Sequence, residues 1–434
     1  MNYRVIGGKT LSGEVTTNIS KNAAMALLAA SLLNKGKTTL KRIPHIEEVN
    51  RLIEVLKSIG VSVEWQDGDV VIQPPAEFNL AGINKEAAQR TRSIALFVAP
   101  LAHLLSSFEL PAPKGCDLGK RSLGAHVDAL ERLGISLVGS EDTHSYRVEV
   151  GDKKPREIIM YEASDTGVEN VLMAAAKIPG TTTIKFASAN YMVQDLCFFL
   201  ERCGVNIEGI GTTTLVVHGV ADINADIVGY PSEDPIESMF FISLAATTRS
   251  EITIKRCPID FLELELATLW SMGVRHTRSE EYFAENGQTR LVDITVEKDG
   301  ALKAPPEKIA PRPYPGINID NLPFFVPVAT QAEGTTLIHD WVYEGRAQYY
   351  VLMEKLGAKL TQLDPHRVEI MGPTKLKGVR MEAPPALRPA TMLLIGMLAA
   401  EGESELQNVY PINRGYENLH ERLKVIGAEI EARE

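Results

Sequence analysis

The chain has 434 residues, 44% of them hydrophobic and 23% charged, proportions of a globular protein with cores large enough for two or three domains rather than of a disordered one. A formal net charge of -11 argues against a broad nucleic-acid-binding face, which needs clustered positive charge, but leaves room for a small phosphorylated substrate held by a few local cations. The opening MNYRVIGGKT lacks a signal-peptide core, the apolar stretch Asn22 to Leu33 is too short to span a bilayer, and four cysteines are too few for a disulfide scaffold, so a cytoplasmic location without membrane association is expected.

Taken in chain order, one pattern returns six times: an amphipathic helix ending on an apolar residue, a glycine, a small or β-branched residue, and then a strand. It reads LIEVLKSIGVSVEW at Gly60, VDALERLGISLVG at Gly134, FLERCGVNIEG at Gly204, LATLWSMGVRH at Gly273, VLMEKLGAKL at Gly357 and LHERLKVIGAEIE at Gly427. Successive glycines lie 69 to 84 residues apart. Each falls where a helix C-terminus needs a left-handed residue, and the alternation after it suits a strand.

A second set of helices interleaves with the first: NAAMALLAASLL, RSIALFVAPLAHLL, VENVLMAAAKI, IESMFFISLAATT, LPFFVPVATQ and PATMLLIGMLAAE. These are apolar on nearly every side and are expected to be buried helices, with the amphipathic set outside them. The repeating unit is therefore inner helix, strand, outer helix, glycine, strand. Six copies fit the length, divided into two three-unit domains that meet near Tyr230–Pro231.

The starts of the inner helices carry unusual groups: Ser20-Lys21-Asn22, Arg90-Thr91-Arg92-Ser93, Ser164-Asp165-Thr166, Asp320-Asn321 and Arg388-Pro389. A cation at a helix N-terminus opposes the helix dipole, and a bound anion would supply the reason for it. The loop PAPKGCDLGKRSLGAH places Cys116 between Lys114 and Lys120-Arg121, flanked by Gly115 and Gly119. Positive surroundings lower a thiol's pKa and glycines admit a ligand, so this is the expected reactive cysteine, whereas Cys197, Cys203 and Cys257 read as core. Arg414, in the loop of NVYPINRGYENLHERL, is a candidate carboxylate or phosphate clamp. No His/Cys spacing resembles a metal site, and there is no Walker loop.

The stretches SKNAA at 20–24, RTRS at 90–93, GCDLGKRSLGAH at 115–126, PYPGINID at 313–320, LRPA at 387–390 and INRGYE at 412–417 give the chain its family likeness. It resembles the enolpyruvyl transferases over essentially its full length, and within them the branch acting on a sugar nucleotide. The shikimate-pathway branch is less similar, because its GNAGT stretch is absent here.

The resemblance implies an α/β fold: a two-domain inside-out barrel of six βαβαββ units, with 1–20 and 231–434 in one domain and 21–230 inserted as the other. It implies phosphoenolpyruvate and UDP-N-acetylglucosamine as substrates and no cofactor or metal. Lys21, Asn22, Arg121, Arg388 and Arg414 would hold phosphoenolpyruvate. Arg92, the stretch Arg121, Ser122, Leu123, Gly124 and Ala125, and Ser164, Asp165, Asp320 and Val342 would line the sugar-nucleotide site. Cys116 would be the proton donor on a lid and Asp320 the base, with Lys21 and Arg414 assisting.

The sequence departs from the family pattern at three single positions and one segment: Ala386 stands where an acidic residue is usual, Met192 where a glutamate is, Pro235 where an arginine is, and Ile319-Asp320-Asn321-Leu322 replaces Thr-Asp-Met-Gln. They leave two alternatives in view, transfer to a different acceptor and a weakly active binding homologue. Cys116→Ala is expected to cut turnover greatly while sugar-nucleotide binding, measured by calorimetry, stays nearly intact; unchanged turnover would remove the acid role.

Overall fold

The computed structural model describes residues 1–112, 123–140 and 144–434. The chain forms two compact units: one takes in Met1–Asn18 and Glu233–Glu434, the other residues 19–112 and 123–232. Both are α/β, built from mixed sheets packed against helices.

In the unit spanning 19–232, the central helices are Lys21–Ala30, the pair Arg92–Phe97 and Val98–Leu101, and Asp165–Ala176. Residues 23–30 and 167–176 of the first and third are buried without exception. In the other unit they are Pro235–Thr247, buried at every position, the pair Leu322–Phe324 and Phe325–Gln331, and Leu387–Ala399. Leucine, isoleucine and phenylalanine on all sides make such helices stable only when surrounded, each large side chain contributing about 1.5–3 kcal/mol on burial.

Two of the six are not single α-helices. Residues 92–97 and 322–324 are 3-10 turns that hand over to short α-helices at Val98 and Phe325. Pro100 and Pro327 explain the change. Proline lacks an N–H and its ring clashes with the carbonyl four residues back, so it is tolerated only in the first turn of an α-helix, and a new helix has to begin just before it. Asn170 of the third helix fills the break, accepting from the Ala99 amide at 3.2 Å and donating to the Ala95 carbonyl at 2.8 Å. A further short helix, Lys85–Arg90, was not evident in the sequence. It places Arg90 in an exposed pair with Glu86.

The outer helices Glu47–Ser58, Gly124–Arg132, Tyr191–Arg202, Glu263–Ser271, Ala347–Leu356 (a 3-10 helix) and Leu419–Val425 all end at the six glycines. Each glycine has a φ between 86° and 96°. At Gly60, Gly204, Gly273, Gly357 and Gly427 its amide bonds the carbonyl three residues back, and the next amide reaches the carbonyl five back; Gly134 makes the first of these bonds. That double bond satisfies the last helical carbonyls and turns the chain into the following strand.

The sheets are antiparallel hairpins, most with a parallel strand added at one side. The N-terminal strand Asn2–Gly7 pairs antiparallel with both Gly402–Gln407 and Glu429–Arg433, and Ser12–Thr16 pairs parallel with Glu251–Pro258, so the first residues complete sheets of the last two hundred. Where the chain changes unit, it is anchored on each side by a buried carboxylate. Glu237 accepts from the Asn18 amide and from Arg422, both at 2.7 Å, and Asp195 accepts from the Ser232 amide at 2.9 Å and its hydroxyl at 2.6 Å.

The cap geometry ranks two substitutions. At Gly204 an added Cβ meets nothing, so Gly204→Ala costs only the left-handed conformation, about 1–2 kcal/mol. At Gly273 it would lie 2.2 Å from the Ala301 carbonyl oxygen. Urea unfolding is expected to show Gly273→Ala as clearly the more destabilising; equal losses would contradict the cap account.

Candidate active site

Because the central helices bury their bodies, their polar residues concentrate at their first turns. In the 19–232 unit, Lys21 opens its helix after Ser20, whose buried hydroxyl caps the Ala23 amide at 3.2 Å. Asn22 follows and donates to the Tyr191 hydroxyl at 3.0 Å. Arg92 opens the second segment after Thr91, which donates to Glu48 at 2.6 Å and so fixes the entry of the chain. Ser164 caps the third helix through the Gly167 amide at 3.2 Å. Asp165 then accepts from Ser188 at 2.5 Å and from Asn190 at 3.2 Å.

These three starts lie together. Lys21 and Asp165 both act electrostatically on Glu169, one turn into the third helix, and Arg92 acts on His126, which bonds the third helix at Thr166. Leu123 precedes and Gly124 and Ala125 open the outer helix carrying His126, which brings that stretch to the same end. Cys116, Arg121 and Ser122 lie outside the described residues.

Glu169 was not singled out in the sequence. It is buried, and its Oε1 has no hydrogen-bond partner among the described residues. Burial, reinforced by Asp165 and opposed by Lys21, holds its carboxyl well above the usual carboxylate range. His126 is equally enclosed. Its Nε2 lies 3.1 Å from the Thr166 hydroxyl and its Nδ1 2.9 Å from the Asn170 amide nitrogen. Burial, with Arg92 adding to it, pulls its pKa down to about 4. The imidazole is therefore neutral at pH 7, and with Asn170 donating to Nδ1 the ring proton sits on Nε2 and points to Thr166.

In the other unit, Asp320 sits just before its helix, its amide bonded to the Asn318 side chain at 2.9 Å. Asn318 and Asn321 are in turn held by Glu265, each at 2.9 Å. Arg388, the second residue of its helix rather than a residue before it, reaches Asp320 through Nε at 3.5 Å and donates from Nη1 to Tyr416 at 3.0 Å. It also acts on Asp234, the cap of the helix that Pro235 opens. Arg346, absent from the sequence expectations, places Nη1 3.8 Å from Asp320. It is 1% exposed and bonds Asp340 from Nε at 2.5 Å and Nη2 at 2.9 Å.

Val342 lies two residues beyond Asp340 and is 43% exposed, beside Trp341 at 49%. Arg414 is half-buried at the end of the short helix Tyr410–Asn413, two residues before Tyr416. Unit by unit, the expected residues divide into Lys21, Asn22, Arg92, Leu123, Gly124, Ala125, Ser164 and Asp165 on one side, and Asp320, Val342, Arg388 and Arg414 on the other.

Of the departures from the family pattern, Met192 and Pro235 are buried in helix packing and Ala386 is a buried helix cap without a side-chain bond. Burial pushes the Cys203 and Cys257 thiols up to about 12 and Cys197 higher still, which makes all three poor nucleophiles. Cys203 is partly exposed at a helix end, not in the core. Among the described residues no cluster of three or more His, Cys, Asp or Glu could hold a metal, and no helix is long and apolar enough to cross a membrane.

Residues 5–423 match the family model described as EPSP synthase (3-phosphoshikimate 1-carboxyvinyltransferase). The chain belongs to the EPSP synthase family. Similar curated members of this carboxyvinyltransferase family bear the name UDP-N-acetylglucosamine 1-carboxyvinyltransferase. That of Bradyrhizobium diazoefficiens is 32% identical over 431 residues, covering 99% of this chain and 97% of the relative. That of Bacteroides fragilis is 31% identical over 437 residues, covering 99% of each, and that of Treponema denticola 32% identical, covering 100% and 99%. Among solved structures, the enolpyruvyl transferase NikO from Streptomyces tendae superposes with a TM-score of 0.84 at 23% identity, over 99% of this chain and 98% of that one. An EPSP synthase from Acinetobacter baumannii gives 0.76 at 18% identity, over 99% and 100%. At those identities the structures support the shared fold alone.

The neutral His126 makes a stability prediction. Its folded pKa of about 4 lies below its ordinary value, so its contribution is complete above about pH 6.5 and is lost as pH falls toward 4. Each such histidine costs up to about 1.4 kcal/mol per pH unit in that window. Unfolding free energies of the His126→Gln variant are expected to be lower at pH 7 and to fall less steeply from pH 6.5 to 4. An unchanged slope would mean that His126 is not held neutral.

Proposed function

We propose that the chain transfers the enolpyruvyl group of phosphoenolpyruvate to the 3-hydroxyl of UDP-N-acetylglucosamine, releasing phosphate, the first committed step of peptidoglycan synthesis, in the cytoplasm. The observation that carries this reading is full-length identity of about 32% to relatives bearing that name, together with a carboxylate, Asp320, flanked by Arg388 and Arg346.

In the proposed reaction Asp320 takes the proton of the sugar 3-hydroxyl as its oxygen bonds to C2 of phosphoenolpyruvate, while Cys116 delivers a proton to the methylene carbon. The tetrahedral adduct then loses a methyl proton and phosphate, leaving the enol ether. Lys21, Asn22, Arg121, Arg388 and Arg414 bind the phosphate and carboxylate and stabilise charge on the departing phosphate. Arg92, Arg121, Ser122, Leu123, Gly124, Ala125, Ser164, Asp165, Asp320 and Val342 hold the sugar nucleotide. Addition, elimination and proton transfer need no redox or electron-sink group, so the reading assigns no cofactor.

The same reading takes each of the six sheets, with its inner and outer helix, as one βαβαββ unit. Three units make an inside-out barrel from 21–230 and three make another from 231–434, completed by 1–20. Support comes from the six glycine-capped helices and from the pairing of Asn2–Gly7 into the last sheet.

Phosphate release from phosphoenolpyruvate is expected to depend on UDP-N-acetylglucosamine. Release only with another nucleotide would replace the acceptor, and none with any would favour a binding homologue. Lys21→Ala is expected to weaken phosphoenolpyruvate binding at least tenfold, about 1.4 kcal/mol, with sugar-nucleotide affinity little changed. Equal loss of both ligands would instead indicate a folding defect.

A further inference from the structure

Glu169 is an acid for which the proposed reaction has no use. It sits one turn into the helix Asp165–Ala176 and is 1% exposed, and its Oε1 has no hydrogen-bond partner among the described residues. An ionised carboxylate so enclosed needs a cation and hydrogen bonds around it; without them it takes up a proton instead. Burial accordingly holds the Glu169 carboxyl well above the usual carboxylate range, Asp165 one turn earlier reinforces this, and Lys21 opposes it. The helix packs against Lys21–Ala30, Arg92–Phe97, Val98–Leu101, Gly124–Arg132 and Tyr191–Arg202. The ionisable groups that act on this helix from those elements are Lys21, the neutral His126 with Arg92 behind it, and Cys197, around which stand Asp195 and Glu201.

We propose that Glu169 is a positioning residue for the anion site at Lys21: its carboxyl is a neutral acid while an anion is bound there, and its ionisation weakens the hold on that anion.

The physical reason is the electrostatic link between the two side chains. The Lys21 charge favours the ionised form of Glu169, and an anion arriving at Lys21 takes up the same positive field. Such coupling is reciprocal. A phosphate or carboxylate oxygen at Lys21 therefore strengthens the grip of Glu169 on its proton, and loss of that proton sets a like charge against the bound anion. The repulsion acts through a buried interior, where solvent and salt screen it little. Asp165 already brings a carboxyl to this helix start, so an ionised Glu169 would add another within one turn. The link depends on this pair alone and holds whatever other groups surround Lys21.

This inference rests on Lys21 holding phosphoenolpyruvate, as proposed above, and the experiment separates the two. The first measurement is urea unfolding of the wild type and Glu169→Gln between about pH 5 and pH 8. A carboxyl that keeps its proton when folded and loses it when unfolded makes unfolding easier as pH rises above its ordinary value of 4.5. The unfolding equilibrium constant of the wild type is expected to rise relative to that of Glu169→Gln by up to about tenfold per pH unit. Parallel curves would mean a charged Glu169 and would overturn the proposal. The second measurement is phosphoenolpyruvate binding by calorimetry from about pH 7 to about pH 9.5, for the wild type, Glu169→Gln and Lys21→Ala. The wild type is expected to lose at least about fivefold more affinity over this range than Glu169→Gln, a pH dependence that a merely structural glutamate would not create. Equal losses, with Lys21→Ala still weakening binding, overturn the coupling and leave Lys21 as the anion's holder. If Lys21→Ala binds phosphoenolpyruvate as the wild type does, the Lys21 reading falls and the coupling with it.

Discussion

Six central segments that are buried along nearly their whole length and mostly apolar impose the organisation of this protein. A helix such as Pro235–Thr247, buried at all thirteen positions, carries polar groups along its body only where each finds a partner, as Ser243 does at the Phe324 carbonyl and Thr247 at the Ser243 carbonyl. Several of the charged groups therefore gather at helix starts, where unbonded backbone N–H groups already create a polar, electropositive environment. Lys21, Arg92, Asp165, Asp320 and Arg388 all lie within two residues of such a start. The outer helices and their glycine caps supply the covering that makes those apolar bodies stable, and the strands return the chain to the next start.

Charges placed at these ends are partly desolvated, and the protein handles that in two ways. Some are matched: Arg346 with Asp340, Asp195 with Ser232, and Glu237 with Arg422 and the Asn18 amide. Others are neutralised. Glu169 is driven toward its protonated form, and His126 is kept uncharged between Thr166 and Asn170. Both outcomes follow from the cost of an unpaired ion in a low-dielectric interior. Buried ion pairs seldom add net stability, and the fully enclosed Arg346–Asp340 pair holds the guanidinium in one fixed orientation.

Much of this could be read from residues alone. The glycine at each helix end is a local signal, because only a left-handed residue ends a helix that way, and all six adopt it. The division into apolar and amphipathic helices is likewise local. Three features were not legible. The 3-10 segments at 92–97 and 322–324 depend on which turn of a helix a proline falls in, which pattern reading places poorly. Glu169 is hidden in a mostly apolar run, where a single acid looks like a solvent-facing position; its burial follows from the packing of its helix against the helices Lys21–Ala30 and Tyr191–Arg202. Arg346 and Asp340 are six residues apart in a loop and a following turn, with no motif to join them, and they meet Asp320 only through the fold. The completion of the last sheet by Asn2–Gly7 joins the two ends of the chain, a pairing no local pattern reveals.

The most direct test of the account is the structure of the product. Purified protein incubated with phosphoenolpyruvate and UDP-N-acetylglucosamine is expected to give a nucleotide heavier by one enolpyruvyl group, whose two vinyl protons and carbon–proton couplings in NMR locate the new ether on the sugar 3-oxygen, with phosphate formed in equal amount. An ether on any other oxygen, or phosphate formed without loss of the sugar nucleotide, would contradict it.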